Sequence, residues 1–493
     1  MNDFLGALSY AFSPLGLLAS FSGVAGGVII GSLPGLSATM AIALLIPVTF
    51  VMSPAIALLM LVGVYCGATY GGSISAILVG VPGTPAAAAT WMDGYPMSCK
   101  GQGTKALWLS VTGSFVGGIV SAFALAFLAP LLAKFALRFG PPEYFSLAVF
   151  GLSIIVSLVS KSFMKGLVSA LLGMLLACVG MDPIQGENRL TFDSLTLMGG
   201  IPFACAVIGL FGFSQALSMC QQEFIADVAA LGKEGRTLPK LRELLRHWSL
   251  ILRSAVIGTV IGIIPGAGTS MASFMAYHDA KSHSKTPELF GTGHDEGVLA
   301  PETSNNAVTG GSMVPMLALG IPGNGVSAIF IGALMIHGIN PGPMLFQNHG
   351  TLVHTIFVGF FIANFFMLLF GLLVAKYLSS VTTVSTSIMA PVICLLCVIG
   401  TFAIRNNMFD VWVMIVFGVG GYALSQCKVS LIPLVLGLIL APVAEKAYFQ
   451  SMLLSDNSLM IFLTRPISLA LLVIALISIV VPLIKQNLKE QDE

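Results

Sequence analysis

The sequence predicts an all-α, polytopic membrane protein of about twelve spans, and three observations lead to that fold class. Only 9% of the 493 residues are charged and 56% are hydrophobic, with a mean hydropathy of +0.95, whereas a soluble domain carries roughly 25% charged residues. Apolar stretches of about 20 residues, long enough to cross a bilayer, recur along the chain. The 54 glycines and 25 prolines predict broken or re-entrant helices, which membrane proteins tolerate.

The candidate spans follow the apolar runs in chain order. In the first half they fall near residues 16–33, 38–63, 107–133, 143–160, 163–180 and 198–218. In the second half they fall near residues 250–266, 311–335, 352–377, 386–404, 409–425, 428–444 and 466–484. Apolar runs define the boundaries of the spans only to within several residues, so the number of spans stays open.

Charge placement divides the chain into four segments. Residues 1–220 form a first transmembrane half and residues 254–485 a second, and a polar tail covers residues 486–493. Between the halves, residues 221–253 contain several basic side chains, which indicates a cytoplasmic linker. The stretch 240–248 (KLRELLRHW) interleaves basic residues with Leu at helical spacing. It fits either an interfacial helix or a solvated loop.

Several classes of function lack support in this sequence. The net charge of +1 gives no basic excess for a nucleic-acid partner. Cys394 and Cys397 have the CxxC spacing, but no second pair or suitably placed His accompanies them, so packing is favoured. The polar groups at 278–296 lack metal-site spacing and indicate a solvated loop. We therefore expect neither an enzyme nor a bound cofactor.

Two Gly/Pro-rich blocks occur twice, in the same order. The block at residues 27–40, which contains PGLSATM, is matched at residues 258–271 by PGAGTSM. The GGS and GVPG motifs at 71–83 are matched by GGS and GIPG at 310–323. Such duplication predicts two internal repeats, which we expect to be inverted, with the solute site where discontinuous helices meet.

The same blocks resemble the large membrane subunit of the tripartite tricarboxylate transporters, the TctA family. The resemblance spans nearly the whole chain and is carried by residues 31–47, 70–97, 100–107, 262–277, 290–325 and 337–346. It implies a multi-pass protein of the bacterial inner membrane, with a small membrane subunit and a periplasmic solute-binding protein as partners. It also implies uptake driven by a cation gradient, and the absence of a GxxxxGK[ST] motif agrees with that.

The Pro-Gly breaks are the expected backbone frame of the solute site. A half-helix that begins after a break exposes its first N–H groups and the positive end of its dipole, which bind anions such as carboxylates. The expected frame residues are Pro34, Gly35, Pro82, Gly83, Pro265, Gly266, Pro322 and Gly323.

Hydroxyl and amide side chains beside the breaks could complete the solute site. They cluster at matching positions of both repeats and are Ser37, Thr39, Ser73, Thr84, Thr269, Ser270, Ser312 and Asn324. Ser and Thr next to a helix start are also common N-caps. The ligand and cap interpretations therefore both stay open for each residue.

Glu302, Asn305 and Asn306 precede the second GGS motif and form the candidate cation-coupling site. Their oxygens could coordinate Na⁺, or Glu302 could carry H⁺; a polar loop mouth that caps a helix is the alternative. The first half has no acid at the equivalent place, and Asp93 is its nearest one. We expect coupling in the second repeat.

A secondary carrier is the leading function. The sequence predicts the large permease subunit of a binding-protein-dependent transporter that takes up a small, tricarboxylate-like solute by Na⁺ or H⁺ symport. A stand-alone carboxylate carrier and a passive, channel-like subunit are the alternatives. An embedded enzyme would need a nucleophile with its base, or a metal set, and neither is evident.

Overall fold

A computed structural model describes residues 2–33, 35–159, 162–182, 186–221, 244, 246–381 and 386–492. The chain is 81% helical, and only one small hairpin is present among the described residues, formed by β1 (Gly180–Met181) and β2 (Asn188–Arg189). These observations confirm the all-α, polytopic fold class. The chain divides into two compact units, Met1–Ala133 with Gln215–Gly400, and Lys134–Ser214 with Thr401–Glu493.

The first half of the sequence begins with helices separated by short turns. They are α1 (Asn2–Ala11), α2 (Pro14–Ser32), α3 (Ala38–Thr49), α4 (Pro54–Leu78), α5 (Ala87–Cys99) and α6 (Gly103–Ala136). Pro14 and Pro54 stand at the first helical position of α2 and α4, where the missing N–H has no intrahelical partner to lose. The chain continues with α7 (Pro141–Val159), α8 (Phe163–Ala177), α9 (Leu195–Met198), α10 (Phe203–Val207), a π-helical turn (Ile208–Phe213) and α11 (Ser214–Met219).

The second half has a similar series of helices. They are α12 (Trp248–Ile263), α13 (Gly268–His283), a 3₁₀ turn (Pro287–Leu289), α14 (Asp295–Leu319), α15 (Gly325–Ile336), α16 (Pro343–Asn348), α17 (Gly350–Val381) and α18 (Thr386–Arg405). The last helices are α19 (Met408–Gln426), α20 (Ile432–Leu454), α21 (Ile461–Thr464) and α22 (Pro466–Asp492). Within the described ranges, seven helices are long and apolar enough to cross a membrane, namely α2, α4, α6, α17, α18, α19 and α20.

Two predicted spans are wrong as single helices. The apolar stretch 38–63 contains the end of α3 at Thr49 and the start of α4 at Pro54. The stretch 311–335 is interrupted between Leu319 and Gly325, where Gly320 takes a φ of +74°. Hydropathy alone misses both interruptions because the residues on either side of them are equally apolar.

Some predicted features fall wholly or partly outside the described residues. Pro34 is one of them, and so are residues 222–243 and 245, which include most of the linker and of the stretch 240–248. Helix α12 begins at Trp248, inside the segment predicted as linker. All eight cysteines are free thiols, and Cys205 and Cys397 are buried, as packing residues would be.

In the first unit, glycines allow helices of the same half to pack backbone against backbone. Gly27 and Gly31 of α2 lie against the α4 carbonyls of Val64 and Ala68, where an added Cβ would overlap an oxygen. In the second half, Gly258 of α12 lies in the same way against the Ser304 carbonyl of α14. Small residues at such spacing are the usual means of close helix association in membranes.

The helices that follow the second breaks pack against the opposite half of the sequence. Helix α5 contacts α13 and α14, and α15 contacts α3 and α4. Helix α6 lies on α14, with Gly113 and Gly117 facing Thr303, whereas α17 lies on α4. The two halves of the sequence are therefore interleaved within one core, and α4 and α14 are buried at its centre.

The second unit is built around α7, α8, α20 and α22. Gly173 of α8 and Gly437 of α20 each lie against a backbone carbonyl of the other helix. Arg189 of the hairpin pairs with Asp182 and, at 2.5 Å, with Glu445 of α20. This contact ties the only strands of the described chain to a helix of the same unit.

Candidate functional site

Glu302 lies at the centre of the first unit, where four hydroxyl groups surround its carboxyl group. Its side chain is fully buried on α14. Ser73 of α4 and Thr90 of α5 donate to Oε1. Ser110 and Ser114, one turn apart on α6, donate to Oε2 at 2.9 and 3.1 Å. Each carboxyl oxygen thus accepts two hydrogen bonds.

The shell around Glu302 is neutral. Among the described residues, no Lys, Arg or His forms a salt bridge with this carboxyl group, and hydroxyl groups are its side-chain partners. A buried carboxylate without a positive partner is costly, so bound H⁺ or a metal cation would stabilise it. Hydroxyl groups are compatible with either H⁺ or a metal cation, because they can rotate and then accept a hydrogen bond or coordinate the metal instead of donating.

Both halves of the sequence contribute to this cluster. The acid comes from the second half, as predicted, but all four hydroxyl partners come from the first half. Ser73, a predicted solute ligand, donates to the carboxyl group of Glu302, and its solute role stays a prediction. The candidate coupling group therefore depends on the packing of α4, α5 and α6 around α14.

Asn305 and Asn306 are buried beside Glu302 on α14 but form no hydrogen bond with it among the described residues. Asn305 donates through Nδ2 to the carbonyl oxygen of Thr69 on α4, at 3.3 Å. Its Oδ1, and both amide atoms of Asn306, have no partner within the part of the chain that the structure describes. The three predicted cation residues thus lie on one helix but do not share one set of contacts.

Tyr65 of α4 joins two predicted solute residues of the second half. Asn324 donates through Nδ2 to the Tyr65 hydroxyl at 2.8 Å, and that hydroxyl lies 2.8 Å from Ser312 Oγ. Ser312 donates in turn to the carbonyl oxygen of Thr309. The chain of hydrogen bonds fixes the second break of the second half against α4.

In each half, the structure brings the two breaks together. Gly266 donates from its backbone N–H to the carbonyl oxygen of Gly323 at 2.8 Å. In the first half, Gly83 donates to the carbonyl oxygen of Gly72 at 3.0 Å and lies directly against that of Gly31. Gly35 and Gly266 have φ values of +83° and +81°, a conformation that glycine adopts without strain. Pro82 and Pro265 are half-buried, and Pro322 is buried.

Two of the four helices that start after a break have a side-chain cap. Ser37 accepts from the N–H of Met40 at the start of α3, and Asn324 forms a capping box with Ser327 at the start of α15. The cap interpretation fits these two residues. Helices α5 and α13 start at Ala87 and Gly268 without a side-chain cap. The first N–H groups of α5 donate to the carbonyl oxygens of residues 84–86, so those of α13 are the better candidates for an anion.

The remaining predicted hydroxyls differ in their exposure. Thr269 and Ser270 are half-buried in the first turn of α13, and Thr39 is half-buried in α3. Thr84 is buried just before α5, and its Oγ1 has no hydrogen-bond partner among the described residues. Thr269 and Ser270 lie in the uncapped first turn of α13, and the solute role of all these hydroxyls stays a prediction.

Asp93, the nearest first-half acid, is held by backbone donors. Its Oδ1 accepts from the N–H groups of Gly291, Gly293 and His294 at 2.8 to 2.9 Å. Its Oδ2 accepts from the Tyr277 hydroxyl at 2.8 Å. The backbone contacts fix the loop that leads into α14, and the contact with Tyr277 joins α5 to α13, which indicates a structural role.

The polar residues around the start of α14 contact one another. Lys105 forms an ion pair with Asp295 at 2.6 Å, and Nδ1 of His247 lies 3.3 Å from a carboxyl oxygen of Glu296. The hydrogen bond from His247 holds the pKa of Glu296, in the first turn, below its ordinary value. Among the described residues, no group of three or more His, Cys, Asp or Glu could hold a metal ion.

Sequence reasoning missed several groups of the site. They are the side chains of Tyr65, Thr90, Ser110 and Ser114 and the carbonyl oxygen of Thr69. A usable signal was present, because Tyr65, Thr69 and Ser73 recur every four residues on α4, and Ser110 and Ser114 do the same on α6. Such spacing places polar groups on one face of an otherwise apolar helix.

A comparison with protein families decides the family. Residues 17–436 match the tripartite tricarboxylate transporter TctA family. The chain belongs to the TctA family. It is accordingly a subunit of a membrane transporter, and this TctA-family chain crosses the membrane several times.

Two relatives of this TctA-family chain come from Agrobacterium vitis. One is described as an uncharacterised 52.8 kDa protein in the TAR-I ttuC' 3' region and is 37% identical over 497 residues, covering 100% of this chain and 99% of its own length. The other, an uncharacterised protein in the TAR-II ttuC' 3' region, is 34% identical over 236 residues, which cover 48% of this chain and 98% of the relative. No solved structure matches the chain significantly.

Proposed function

We propose that this TctA-family chain is the large permease subunit of a binding-protein-dependent secondary transporter of the bacterial inner membrane. It takes up a small, tricarboxylate-like carboxylate together with Na⁺ or H⁺. Its partners are the small membrane subunit of the same transporter and a periplasmic solute-binding protein. The family match supports the transporter class and the tripartite assembly.

The observation that carries the coupling proposal is the burial of Glu302 in a neutral shell. A carboxyl group with four hydroxyl partners and no salt bridge among the described residues can gain or lose a cation without disrupting an ion pair. Its surroundings come from α4, α5 and α6, so occupancy by a cation would alter the contacts among these helices. That link between charge and packing is what symport requires.

The solute site proposed here lies at the breaks. Helix α13 offers an uncapped first turn, in which Thr269 and Ser270 are half-buried. Backbone N–H groups and hydroxyls can bind a carboxylate without a cationic side chain. Thr90 on α5 bonds Glu302, and α5 contacts α13, so α5 connects the proposed solute and cation sites.

The test is solute uptake into proteoliposomes that contain this chain and its small membrane subunit. The binding protein is added with radiolabelled citrate, and a panel of other di- and tricarboxylates is included as competitors. We expect accumulation only when both the binding protein and an inward Na⁺ or H⁺ gradient are present. Flux that ignores the gradient would instead identify a passive subunit, and accumulation without the binding protein a stand-alone carrier.

A further inference from the structure

The segment around and after β2 exposes large apolar side chains. Phe192 and Leu195 are 84% and 81% exposed, and Leu190 is 46% exposed. Two acids of the same segment, Glu187 and Asp193, are exposed as well. Exposed apolar groups that are gathered on one segment and bordered by charge are typical of a surface that binds a partner. These five side chains are named the hairpin patch.

The backbone of the segment holds the patch in one conformation. Leu190, Phe192 and Asp193 have φ values of +52°, +47° and +57°, in the left-handed region that is unfavourable for Leu and Phe. Thr191, between them, is buried, and its carbonyl oxygen accepts from the Ser194 N–H at 2.8 Å. An unfavourable backbone conformation persists only where the surrounding structure holds it. The exposure of Phe192 is therefore a built feature of this turn.

Ion pairs attach the hairpin to α20. Arg189 pairs with Asp182 and, at 2.5 Å, with Glu445. The Asp182 N–H also donates to the carbonyl oxygen of Glu187 at 2.8 Å. A surface that is ordered before binding loses less conformational entropy when it binds. The patch is therefore preorganised for a partner.

Charge placement distinguishes the two ends of the helices in the second unit. Lys165, at the start of α8, donates to the carbonyl oxygen of Cys427 at 2.7 Å, and Lys428 follows in the chain. The sequence has no Asp or Glu at 144–181 or at 411–444. This end is therefore basic and lacks acids, which is typical of the cytoplasmic side of a membrane.

The hairpin patch lies toward the other end of the same helices. Helix α20 is long enough to cross a membrane and begins at Ile432, just after the basic end. Glu445, which pairs with the hairpin, lies about 20 Å further along this helix. Helix α8 likewise leads from Lys165 into β1. With the basic end in the cytoplasm, the patch belongs to the periplasmic side.

The composition of the patch fits a soluble protein better than a lipid surface. Asp193 directly follows Phe192, so burial of Phe192 in hydrocarbon would draw a carboxylate toward the bilayer, which is costly. A protein partner can instead offer an apolar pocket to Phe192 and Leu195 and basic groups to the two acids. On the periplasmic side, the soluble partner in the proposed function is the solute-binding protein.

We infer that the hairpin patch is the docking surface for the periplasmic solute-binding protein. The inference rests on the proposed function, because it assigns a surface to a partner proposed above. Phe192 and Leu195 are the apolar anchors of this interface, and Glu187 and Asp193 form part of its charged rim. The partner surface is accordingly an apolar pocket bordered by Lys or Arg.

The test is binding of the purified, fluorescently labelled solute-binding protein to the full-length chain with its small membrane subunit in nanodiscs. We expect Phe192→Ala and Leu195→Ala each to raise the Kd at least about tenfold, because a few apolar anchors dominate the affinity of most interfaces. The control is Leu175→Ala, which shortens an exposed side chain of the apolar helix α8 in the same unit. This variant should bind as the wild type does.

Salt dependence tests the charged rim. Glu187→Gln and Asp193→Asn should weaken binding at low ionic strength and have much less effect at high ionic strength, because salt screens exposed charges. Asn tolerates the left-handed backbone of residue 193, so Asp193→Asn removes the charge and retains the turn. Wild-type affinity of both variants at low ionic strength would contradict the role of the acids.

Uptake measurements separate lost docking from misfolding. In proteoliposomes, Phe192→Ala should raise the half-saturating concentration of the solute-binding protein and retain the maximal rate of uptake, a combination that misfolding does not produce. Phe192→Trp keeps a large aromatic side chain and should bind as tightly as the wild type.

The inference is overturned if Phe192→Ala and Leu195→Ala bind the solute-binding protein as the wild type does. That result would assign the exposed apolar side chains to the lipid surface. Failure of the proposed function has a different outcome. If the solute-binding protein neither binds the wild type nor stimulates its uptake, the proposed dependence on it is wrong and the docking surface is removed with it. If it stimulates the wild type and the variants equally, only the docking surface is wrong.

Discussion

At the scale of single residues, two buried acids of the first unit illustrate two different roles. Asp93 accepts three backbone N–H groups and one hydroxyl from a single loop and helix. Glu302 accepts four side-chain hydroxyls from three helices. Backbone donors are fixed in direction, whereas hydroxyls can rotate. Asp93 is therefore suited to hold a loop, and Glu302 to exchange a cation.

Replacing Asp93 tests the structural half of this contrast. Asp93→Ala leaves three backbone donors unpaired and should lower stability by about 3 kcal/mol or more, since each lost partner costs roughly 1–3 kcal/mol. Asp93→Asn retains an acceptor and should lose much less. The measurement is the thermal melting temperature of the purified chain, and equal melting of Asp93→Ala and the wild type would contradict the structural role.

The sequence could predict some site residues but not their partners. Glu302 and the two asparagines stand out because polar groups inside apolar segments are rare and costly. The spacing of Ser110 and Ser114 indicates a polar face on α6, but a single sequence does not reveal which helix that face contacts. Ser37 caps α3 in the structure, which fits one of its two interpretations, and its role as a solute ligand stays a prediction.

At the scale of elements, the Pro-Gly motifs predict the positions at which helices break. Hydropathy is a poorer predictor of the residues at which helices begin. The break after α14 lies at the predicted GIPG motif. The turn between α3 and α4 was missed, although Ser53 and Pro54 are a typical helix start. The Ser-Pro pair predicts the start of α4, whereas the apolar content of the surrounding residues does not.

Substitution of the glycines at the breaks should lower the stability of the chain. A Cβ at Gly323 would lie 2.6 Å from the Gly262 carbonyl oxygen and 2.7 Å from the Ser312 Cα, and neither backbone atom can move freely. We expect Gly323→Ala and Gly83→Ala to destabilise the chain by about 1–3 kcal/mol and to reduce uptake. Gly420→Ala is the matched control, because nothing lies within 4 Å of its added Cβ. Wild-type melting and uptake in both break variants would contradict the close approach.

At the scale of the whole molecule, the internal repeat stays a prediction, and several contacts are consistent with it. Gly83 lies against the Gly31 carbonyl, and Gly323 lies against the Gly262 carbonyl, which are matching positions of the two blocks. The two compact units each contain segments of both halves of the sequence. Contacts between halves depend on the folded chain, so no motif could predict them.

The direction of the two repeats can be determined by labelling. Single cysteines at Leu33 and Ile264, which follow α2 and α12, would be introduced into a chain whose native cysteines are replaced. If the repeats are inverted, a membrane-impermeant thiol reagent should label the two positions from opposite sides of the membrane. Labelling of both from the same side would refute the inversion.

The claim that Glu302 carries a coupling cation is tested most directly by Glu302→Gln. Gln keeps the volume of the side chain, and the surrounding hydroxyls can turn to accept from its amide, so the variant should fold. In proteoliposomes with both partner subunits, gradient-driven accumulation should fall at least about tenfold, while exchange of labelled for unlabelled solute continues. Glu288→Gln, an exposed acid of the 3₁₀ turn, is the control and should behave as the wild type does. Gradient-driven accumulation by Glu302→Gln equal to that of the wild type, with the same cation dependence, would contradict the claim.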